Sequence, residues 1–292
     1  MARNPQKILI VVNPISGDLD KSEILERIKL ALAKEDTIQI FNTTGEEDLK
    51  NLGSVANNFG PDRILAVGGD GTIQLISEAL QGEKPIIGII PAGSANGLAT
   101  DLDLPPEIEE AIPIALGSRT TWVDTLLIND TFGLHISDLG INAELIQNYS
   151  ESTIRGYFGY ALNVIPTLVN TDTPYELTLE ANGETRTVQA VMLAFANSKK
   201  FGTGAMVNPD GKIDDGKFEV LIFKKLDIME ILKTLMSNTD MDPEFVEIVQ
   251  TTKALVTSKI PISLQIDGEP FGKVNKVSVS ILPKNIQVAI GI

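Results

Sequence analysis

The segment Ala66-Val67-Gly68-Gly69-Asp70-Gly71-Thr72 constrains this chain more than any other, because an apolar run from Ile64 gives way there to glycines and then to a helical pattern. A strand that turns through glycines into a helix suits polyphosphate. Glycine lets the backbone reach positive φ and approach a ligand closely, while the unpaired amides opening the helix present donors and the positive end of its dipole. Asp70 then demands an account, since a bare carboxylate beside phosphates repels them unless it binds a cation or takes a proton. Its carboxylate is therefore expected at the phosphates and outside the core. The plainer alternative makes Asp70 the N-cap of a helix over residues 71–80.

The surroundings favour the phosphate reading. Lys7-Ile8-Leu9-Ile10-Val11-Val12 is a continuous apolar run without polar alternation, as expected of a parallel strand covered on both faces, and it ends at Asn13-Pro14-Ile15-Ser16-Gly17. Helical spacing of Ile24, Leu25, Ile28 and Leu32 leads to a strand over 37–41 and the polar loop Asn42-Thr43-Thr44-Gly45. A helix over 46–58, the strand 64–67, the glycine turn with its helix, and a strand over 85–90 follow. That last strand runs into Pro91-Ala92-Gly93-Ser94-Ala95-Asn96-Gly97, a second glycine turn carrying a hydroxyl and an amide. Open parallel sheets bind ligands at the carboxyl ends of their strands, and three polar glycine loops after three of four strands point to one such edge.

After a helix ending near Leu116 the pattern changes. Strands are expected over 121–128, 132–137, 175–179, 187–196, 218–223, 262–266, 274–281 and 286–290, with turns at Asn129-Asp130, Asn182-Gly183 and Pro283-Lys284-Asn285. Helices are expected only over 156–169 and 228–237. The predicted architecture is a three-layer α/β nucleotide-binding domain with a parallel sheet over residues 1–120, followed by a β-rich, sandwich-like domain over 121–292. The last strands could return to the first domain's side, and the active site is expected in a cleft between the domains.

With no cysteine and a single histidine, the chain cannot build a thiolate or histidine-rich metal site, so any metal is a hard cation on oxygen ligands. A formal net charge of -15 argues against nucleic acid and against electrostatic docking to anionic lipid. A lipid would have to be reached through apolar surface. Neither a signal-peptide core nor an apolar run of the roughly 20 residues needed to span a bilayer is found, so a cytoplasmic protein without a transmembrane segment is expected. Asn208-Pro209-Asp210-Gly211-Lys212-Ile213-Asp214-Asp215-Gly216-Lys217 concentrates carboxylates, carbonyls and glycines, which suits magnesium or calcium, or else a solvated turn. Its accidental P-loop spacing is discounted, because Phe218 occupies the hydroxyl position and a strand follows. Gln265-Ile266-Asp267-Gly268-Glu269-Pro270 places two carboxylates around a glycine at a strand end, where a β-turn is the plain alternative. His135 and Trp122 sit in apolar runs and receive no role.

Asn13-Pro14-Ile15-Ser16-Gly17, Gly68-Gly69-Asp70-Gly71-Thr72 and Pro91-Ala92-Gly93-Ser94-Ala95-Asn96, in this order and spacing, resemble the diacylglycerol kinase catalytic-domain family, which includes soluble bacterial lipid kinases and sphingosine kinases. The resemblance continues through Ala196-Asn197, Gly202-Thr203-Gly204, Asp214-Asp215-Gly216 and Asp267-Gly268-Glu269. It implies an ATP- and magnesium-dependent kinase acting on a lipid hydroxyl at the membrane surface, with transient membrane association and the question of a homodimer left open. It further implies that Asn13, Pro14, Ile15, Ser16, Gly17, Thr43, Gly68, Gly69, Asp70, Gly71, Thr72, Ile73, Gln74, Leu75, Ser94 and Asn96 line the ATP site. Glu269 would be the general base with Asp267 beside it, Asp70 would organise nucleotide and magnesium, and Asp215 with the carbonyls of Lys212 and Lys217 would hold a structural magnesium. Gln74, Ser94 and Gly97 depart from the common asparagine, threonine and aspartate of the family, and the form Ser94-Ala95-Asn96-Gly97-Leu98-Ala99 is more similar to the sphingosine-kinase branch. An NAD kinase and a catalytically silent nucleotide- or lipid-binding protein are the competing readings.

Overall fold

The computed structural model of the chain describes residues 5–80, 85–94, 96–141, 143, 174–199, 208–225 and 242–291. The helices expected over 156–169 and 228–237 and the Gly202-Thr203-Gly204 motif lie outside the described residues. The chain divides into two compact units, Met1–Asp124 with Lys284–Ile292, and Thr125–Pro283. By this division the C-terminal residues from Lys284 onward group with the first unit.

In the first unit strands and helices alternate: β1 (Lys7–Val12), α1 (Lys21–Ala31), β2 (Thr37–Asn42), α2 (Asp48–Phe59), β3 (Arg63–Gly68), α3 (Asp70–Ala79), β4 (Ile86–Pro91), α4 (Gly97–Asp101) and α5 (Ile108–Ala115). The four strands pair in parallel in the order β4-β3-β1-β2. Every residue of β3 is buried, and β1 is buried from Ile8 onward, which is why these segments read as unbroken apolar runs. One face packs Ile8, Ile10, Leu65, Val67 and Ile90 against Ile24 and Ile28 of α1 and Ile108 and Ile112 of α5. On the other side α2 and α3 contact each other and the sheet, which completes three layers. Arg63, buried at the start of β3, donates to the carbonyls of Ala115 at 2.5 Å and Gly117 at 2.8 Å and so closes the C-terminal end of α5 onto the sheet.

The second unit is antiparallel. Beyond β5 (Thr120–Ile128) come β6 (Thr131–Gly133), β7 (Ile136–Gly140), β8 (Tyr175–Ala181), β9 (Glu184–Ala190), β10 (Met192–Ala196), β11 (Phe218–Phe223), β12 (Val246–Thr251), β13 (Lys253–Ile266) and β14 (Glu269–Ala289). The order is β12-β11-β10-β7-β13-β14, and the hairpin β8–β9 pairs with the first part of β13. β13 thus serves β8 through Ala254 to Ser258 and β7 through Leu264 to Ile266, with a register break in between where Pro261 interrupts the ladder. Leu177, Leu193, Phe195, Phe218, Val220, Leu264 and Val279 fill the core between these strands.

Four expectations change here, the first being the strand expected over 132–137, which is two, β6 and β7, broken at Leu134 and His135, whose amides turn to the Asp267 carboxylate. The strand expected over 187–196 is two, broken at Val191, whose amide leaves the hairpin ladder to bond the carbonyl of Phe223 at 2.9 Å. β12 was not expected, because its exposed Ile248 obscures the alternation. Pro283-Lys284-Asn285 is no turn: β14 runs through it to Ala289, with Lys284 in the left-handed region and its amide donating to Asp124 Oδ1 at 2.6 Å. The Asn129-Asp130 and Asn182-Gly183 turns are two-residue hairpins with both central residues at positive φ, as expected.

Candidate active site

The loops after β1, β3 and β4 meet at one edge of the first unit, and side chains bind them to one another. Asp70 opens α3, with Gly69 as the N-cap, and its carboxylate turns toward the loop after β4. Oδ2 accepts from the amide of Gly97 at 2.7 Å and Oδ1 from that of Leu98 at 3.0 Å, so Asp70 caps α4 across the fold. The expectation of a carboxylate outside the core is corrected: Asp70 is 8% exposed, and its charge is met by backbone amides. Asn96, in the left-handed region, closes the same loop by accepting from the Gly93 amide at 2.9 Å and donating to the Gly93 carbonyl at 3.0 Å.

Two glycines set how closely these loops approach. A Cβ on Gly93 would stand 2.4 Å from Gly69 Cα and has no room, while one on Gly69 would stand 3.1 Å from Gly93 Cα and press on the opposite backbone. Gly71, by contrast, is exposed and opens onto free space. Thr72 Oγ1 is buried over Gly68 without a hydrogen-bond partner. The free space beside Gly71, at the opening of α3, leaves room for a phosphate at this turn.

The other expected residues of this edge divide by burial. Asn13 Oδ1 accepts from the amide of Ile15 at 3.2 Å, Pro14 and Ile15 are exposed, and Ser16 Oγ bridges the carbonyls of Asn13 at 2.9 Å and Ala92 at 3.2 Å. Thr43 is held beside β1 by its amide, which donates to the Val12 carbonyl at 2.9 Å. The adjoining turn closes on Asp48, where burial works against ionisation but the amides of Thr44 and Gly45 and the Thr44 hydroxyl outweigh it and hold the carboxyl below its ordinary range. Gln74 and Leu75 are half-buried and Ser94 is exposed. Ile73 departs from the expected lining, since its side chain is only 1% exposed and packs inward.

One residue of this edge escapes a reading of the sequence. Lys21 begins α1 with its side chain buried, and its Nζ donates to the carbonyls of Ser16 at 2.5 Å, Leu19 at 3.0 Å and Ala92 at 3.2 Å. Burial lowers its pKa, against the raising influence of Asp18 and Asp20. Within Asp18-Leu19-Asp20-Lys21 it looks like one more solvated charge, and nothing in its spacing marks it.

The expected base belongs to the second unit. Asp267-Gly268 is a two-residue turn, both at positive φ, joining Ile266 to its ladder partner Glu269. The β-turn alternative is therefore the local geometry, and the two carboxylates part company in it. Asp267 accepts from the amides of Leu134 at 2.6 Å and His135 at 3.0 Å, with its side chain 3% exposed, whereas Glu269 is exposed at the start of β14. His135 Nε2 stands 4.0 Å from Asp267 Oδ1. Buried Asp138 accepts from Gln265 Nε2 at 2.5 Å, and Gln265 Oε1 accepts from the Gly268 amide at 2.6 Å, so a second polar chain braces the turn. Asn197 adds a third, donating from Nδ2 to the Leu134 carbonyl at 2.9 Å and from its amide to that of His135 at 2.7 Å.

In the loop over 208–217, Asp215 is exposed and accepts from the Lys217 amide at 3.0 Å. The loop is rooted by Asn208, whose Nδ2 donates to Glu219 Oε2 at 2.6 Å and to the Ser198 carbonyl at 3.1 Å. The expected set of Asp215 with the carbonyls of Lys212 and Lys217 would offer only oxygen, the chemistry a hard cation takes. No group of three or more acidic or histidine side chains gathers for a metal among the described residues.

Residues 7–128 match the diacylglycerol kinase catalytic domain family, and residues 138–290 match the YegS C-terminal NAD kinase beta sandwich-like domain family. A protein of Chromohalobacter salexigens named "Probable lipid kinase YegS-like" is 32% identical over 231 residues, covering 75% of this chain and 73% of that one. The chain belongs to the YegS-like lipid kinases. Lipid kinase YegS of Escherichia coli strain K12 is 27% identical over 292 residues, covering 97% of this chain and 95% of its own. The same fold is found in a diacylglycerol kinase from Bacillus anthracis str. Sterne, with a TM-score of 0.77 at 20% identity over 99% of this chain and 98% of that one. Membership among the lipid kinases displaces the NAD kinase reading; in the C-terminal family's description, NAD kinase qualifies the architecture of the sandwich. A kinase family implies use of ATP and as a rule a divalent cation. No helix among the described residues is long and apolar enough to cross a membrane.

Proposed function

We propose that this lipid kinase transfers the γ-phosphoryl group of ATP to a hydroxyl of diacylglycerol, a sphingoid base or a related lipid. The observation that carries the reading is the closure of the loops after β3 and β4 by Asp70, Asn96 and the Gly69–Gly93 contact, which leaves the open edge at Gly71 for phosphates. In this reading Asn13 to Gly17, Thr43, Gly68 to Thr72, Gln74, Leu75, Ser94 and Asn96 receive the nucleotide. Asp70 organises it by fixing the amides of Gly97 and Leu98. Phosphoryl transfer asks for positioning, charge compensation and a proton acceptor. Glu269 takes the proton of the acceptor hydroxyl as its oxygen bonds the γ-phosphorus and the bond to the departing ADP oxygen breaks. Asp267, committed to two amides, shapes the turn that presents Glu269. Magnesium offsets the charge of the β- and γ-phosphates when bound with the nucleotide.

Phe271 supports a lipid acceptor. It is the extra residue of a β-bulge two positions beyond Glu269, where the register shifts between Leu264 and Gln265, and it is 43% exposed. An apolar ring this close to a carboxylate suits a substrate with an acyl chain behind its hydroxyl. We place the protein in the cytoplasm, meeting membranes transiently.

Radiolabelled ATP incubated with extracted total lipid tests the reading. Label is expected in a lipid species only when the enzyme is present. Unlabelled lipid from a protein that still binds a nonhydrolysable ATP analogue would make it a silent binding protein, and label in NAD instead would reverse the lipid reading.

The structural cation has its own test, made without nucleotide. Magnesium at about a hundredfold above its dissociation constant would stabilise a chain that binds it only when folded by about 2.7 kcal/mol. Magnesium is expected to raise the melting temperature of the wild type and to leave that of Asp215→Ala unmoved. A wild type indifferent to magnesium would remove the metal from this loop.

A further inference from the structure

We infer that Lys21 is a positioning residue for the nucleotide, a buried cation whose three N–H groups draw the loop after β1 onto the loop after β4. The inference rests on the ATP reading of this edge given above. Its geometry is specific: one ammonium nitrogen lies 2.5, 3.0 and 3.2 Å from the carbonyls of Ser16, Leu19 and Ala92, two of them in the first loop region and one in the last. Ser16 Oγ reaches the same Ala92 carbonyl at 3.2 Å, so that oxygen is the point where the loops are joined. Gly17 lies in the same contact, since a Cβ there would come 2.8 Å from it.

Three carbonyl oxygens turned toward one point repel one another unless a cation stands among them. Lys21 removes that repulsion at the place where Asn13 to Gly17 and Ser94 to Asn96 must both face the phosphates. Its ammonium is engaged by backbone and buried, so it acts on the loops and not on the ligand. A point-like ammonium can satisfy three converging acceptors, whereas the planar fork of arginine spreads its donors over several atoms and cannot occupy the same point. This separates a clamp from a phosphate-binding charge, because a residue that simply attracts phosphate would work nearly as well as arginine.

Lys21→Met and Lys21→Arg, with Lys29→Met as a control that removes an exposed lysine of the same helix, test the inference in the intact protein. Affinity for a nonhydrolysable ATP analogue is measured by calorimetry, and KM for ATP and kcat by the lipid kinase assay, all at temperatures where each variant is folded. Loss of hydrogen bonds from a charged group leads us to expect about a tenfold or larger loss of analogue affinity and a matching rise in KM for both Lys21 variants, with a smaller change in kcat. The control should follow the wild type. Wild-type affinity in Lys21→Met, or full rescue by Lys21→Arg, would overturn the clamp. A lowered melting temperature with the affinity, KM and kcat of the folded protein unchanged would overturn it as well, by making Lys21 only a stability residue. A wild type that binds no analogue would instead refute the ATP reading beneath it.

Discussion

Glu269→Gln is expected to keep nucleotide affinity and lose turnover by roughly 10² to 10⁴-fold, the range that positioned proton transfer typically contributes. The structure makes this a clean experiment. Glu269 is exposed and stands at the first position of β14, so an isosteric amide there removes the basic oxygen without leaving a buried group unpaired. Its neighbour behaves otherwise. Asp267 holds the amides of Leu134 and His135, so Asp267→Asn would put an amide group against backbone donors and register first as a loss of stability. Calorimetric titration with a nonhydrolysable ATP analogue, beside the lipid kinase assay and a melting curve, distinguishes the two variants. Full activity of a stable Glu269→Gln protein would move the base elsewhere, and loss of analogue affinity would place Glu269 at the nucleotide.

Asp70→Asn should abolish phosphoryl transfer and also lower the melting temperature. The second half follows from the two amides that the carboxylate accepts, at 2.7 and 3.0 Å. A carboxamide offers one acceptor oxygen, and its NH₂ then confronts an N–H in a site where water scarcely enters. Such a mismatch costs about 1–3 kcal/mol, or several degrees in melting temperature for a domain of this size. The catalytic loss follows because Gly97 and Leu98 no longer have a fixed anchor, and the loop that carries Ser94 and Asn96 drifts from the phosphate turn. Activity assayed well below the midpoint of melting separates this effect from unfolding. A folded Asp70→Asn protein with wild-type lipid kinase activity would refute the role given to Asp70, and an unchanged melting temperature would refute the cap.

What could be read in advance followed from patterns that local physics enforces. β1 and β3 announce themselves because both faces of a parallel strand are covered, and the two-residue turns at Asn129-Asp130 and Asn182-Gly183 because few residues tolerate consecutive positive φ. The glycine loops were legible for the same reason. The second unit was harder. Thr187 to Ala196 looks like one strand because nothing local reports that Val191 changes partners, and Val246 to Thr251 turns Ile248 to solvent at a sheet edge. Pro283-Lys284-Asn285 has turn chemistry yet lies within a strand, where Asp124, distant in sequence, receives the Lys284 amide. At the site, residue types were visible and their partners were not. Asp70 could be singled out, but its bonds to Gly97 and Leu98 span the separation between two loops, and Lys21, Gln265 and Asp138 gain their meaning only from contacts of that kind.

The meeting of Gly69 with Gly93 also limits how this protein can change over generations. A crowded pair of side chains ordinarily leaves an escape, in which one position grows while its neighbour shrinks. Here both positions already stand at the smallest residue available, so a methyl gained on either side has no opposite group to give way. The remaining remedy is to part the two backbones, and that would pull Gly97 and Leu98 from Asp70. Second-site changes that restore a Gly93 variant should therefore lie in segments that reposition a whole loop, and Gly93 itself is closed to stepwise drift.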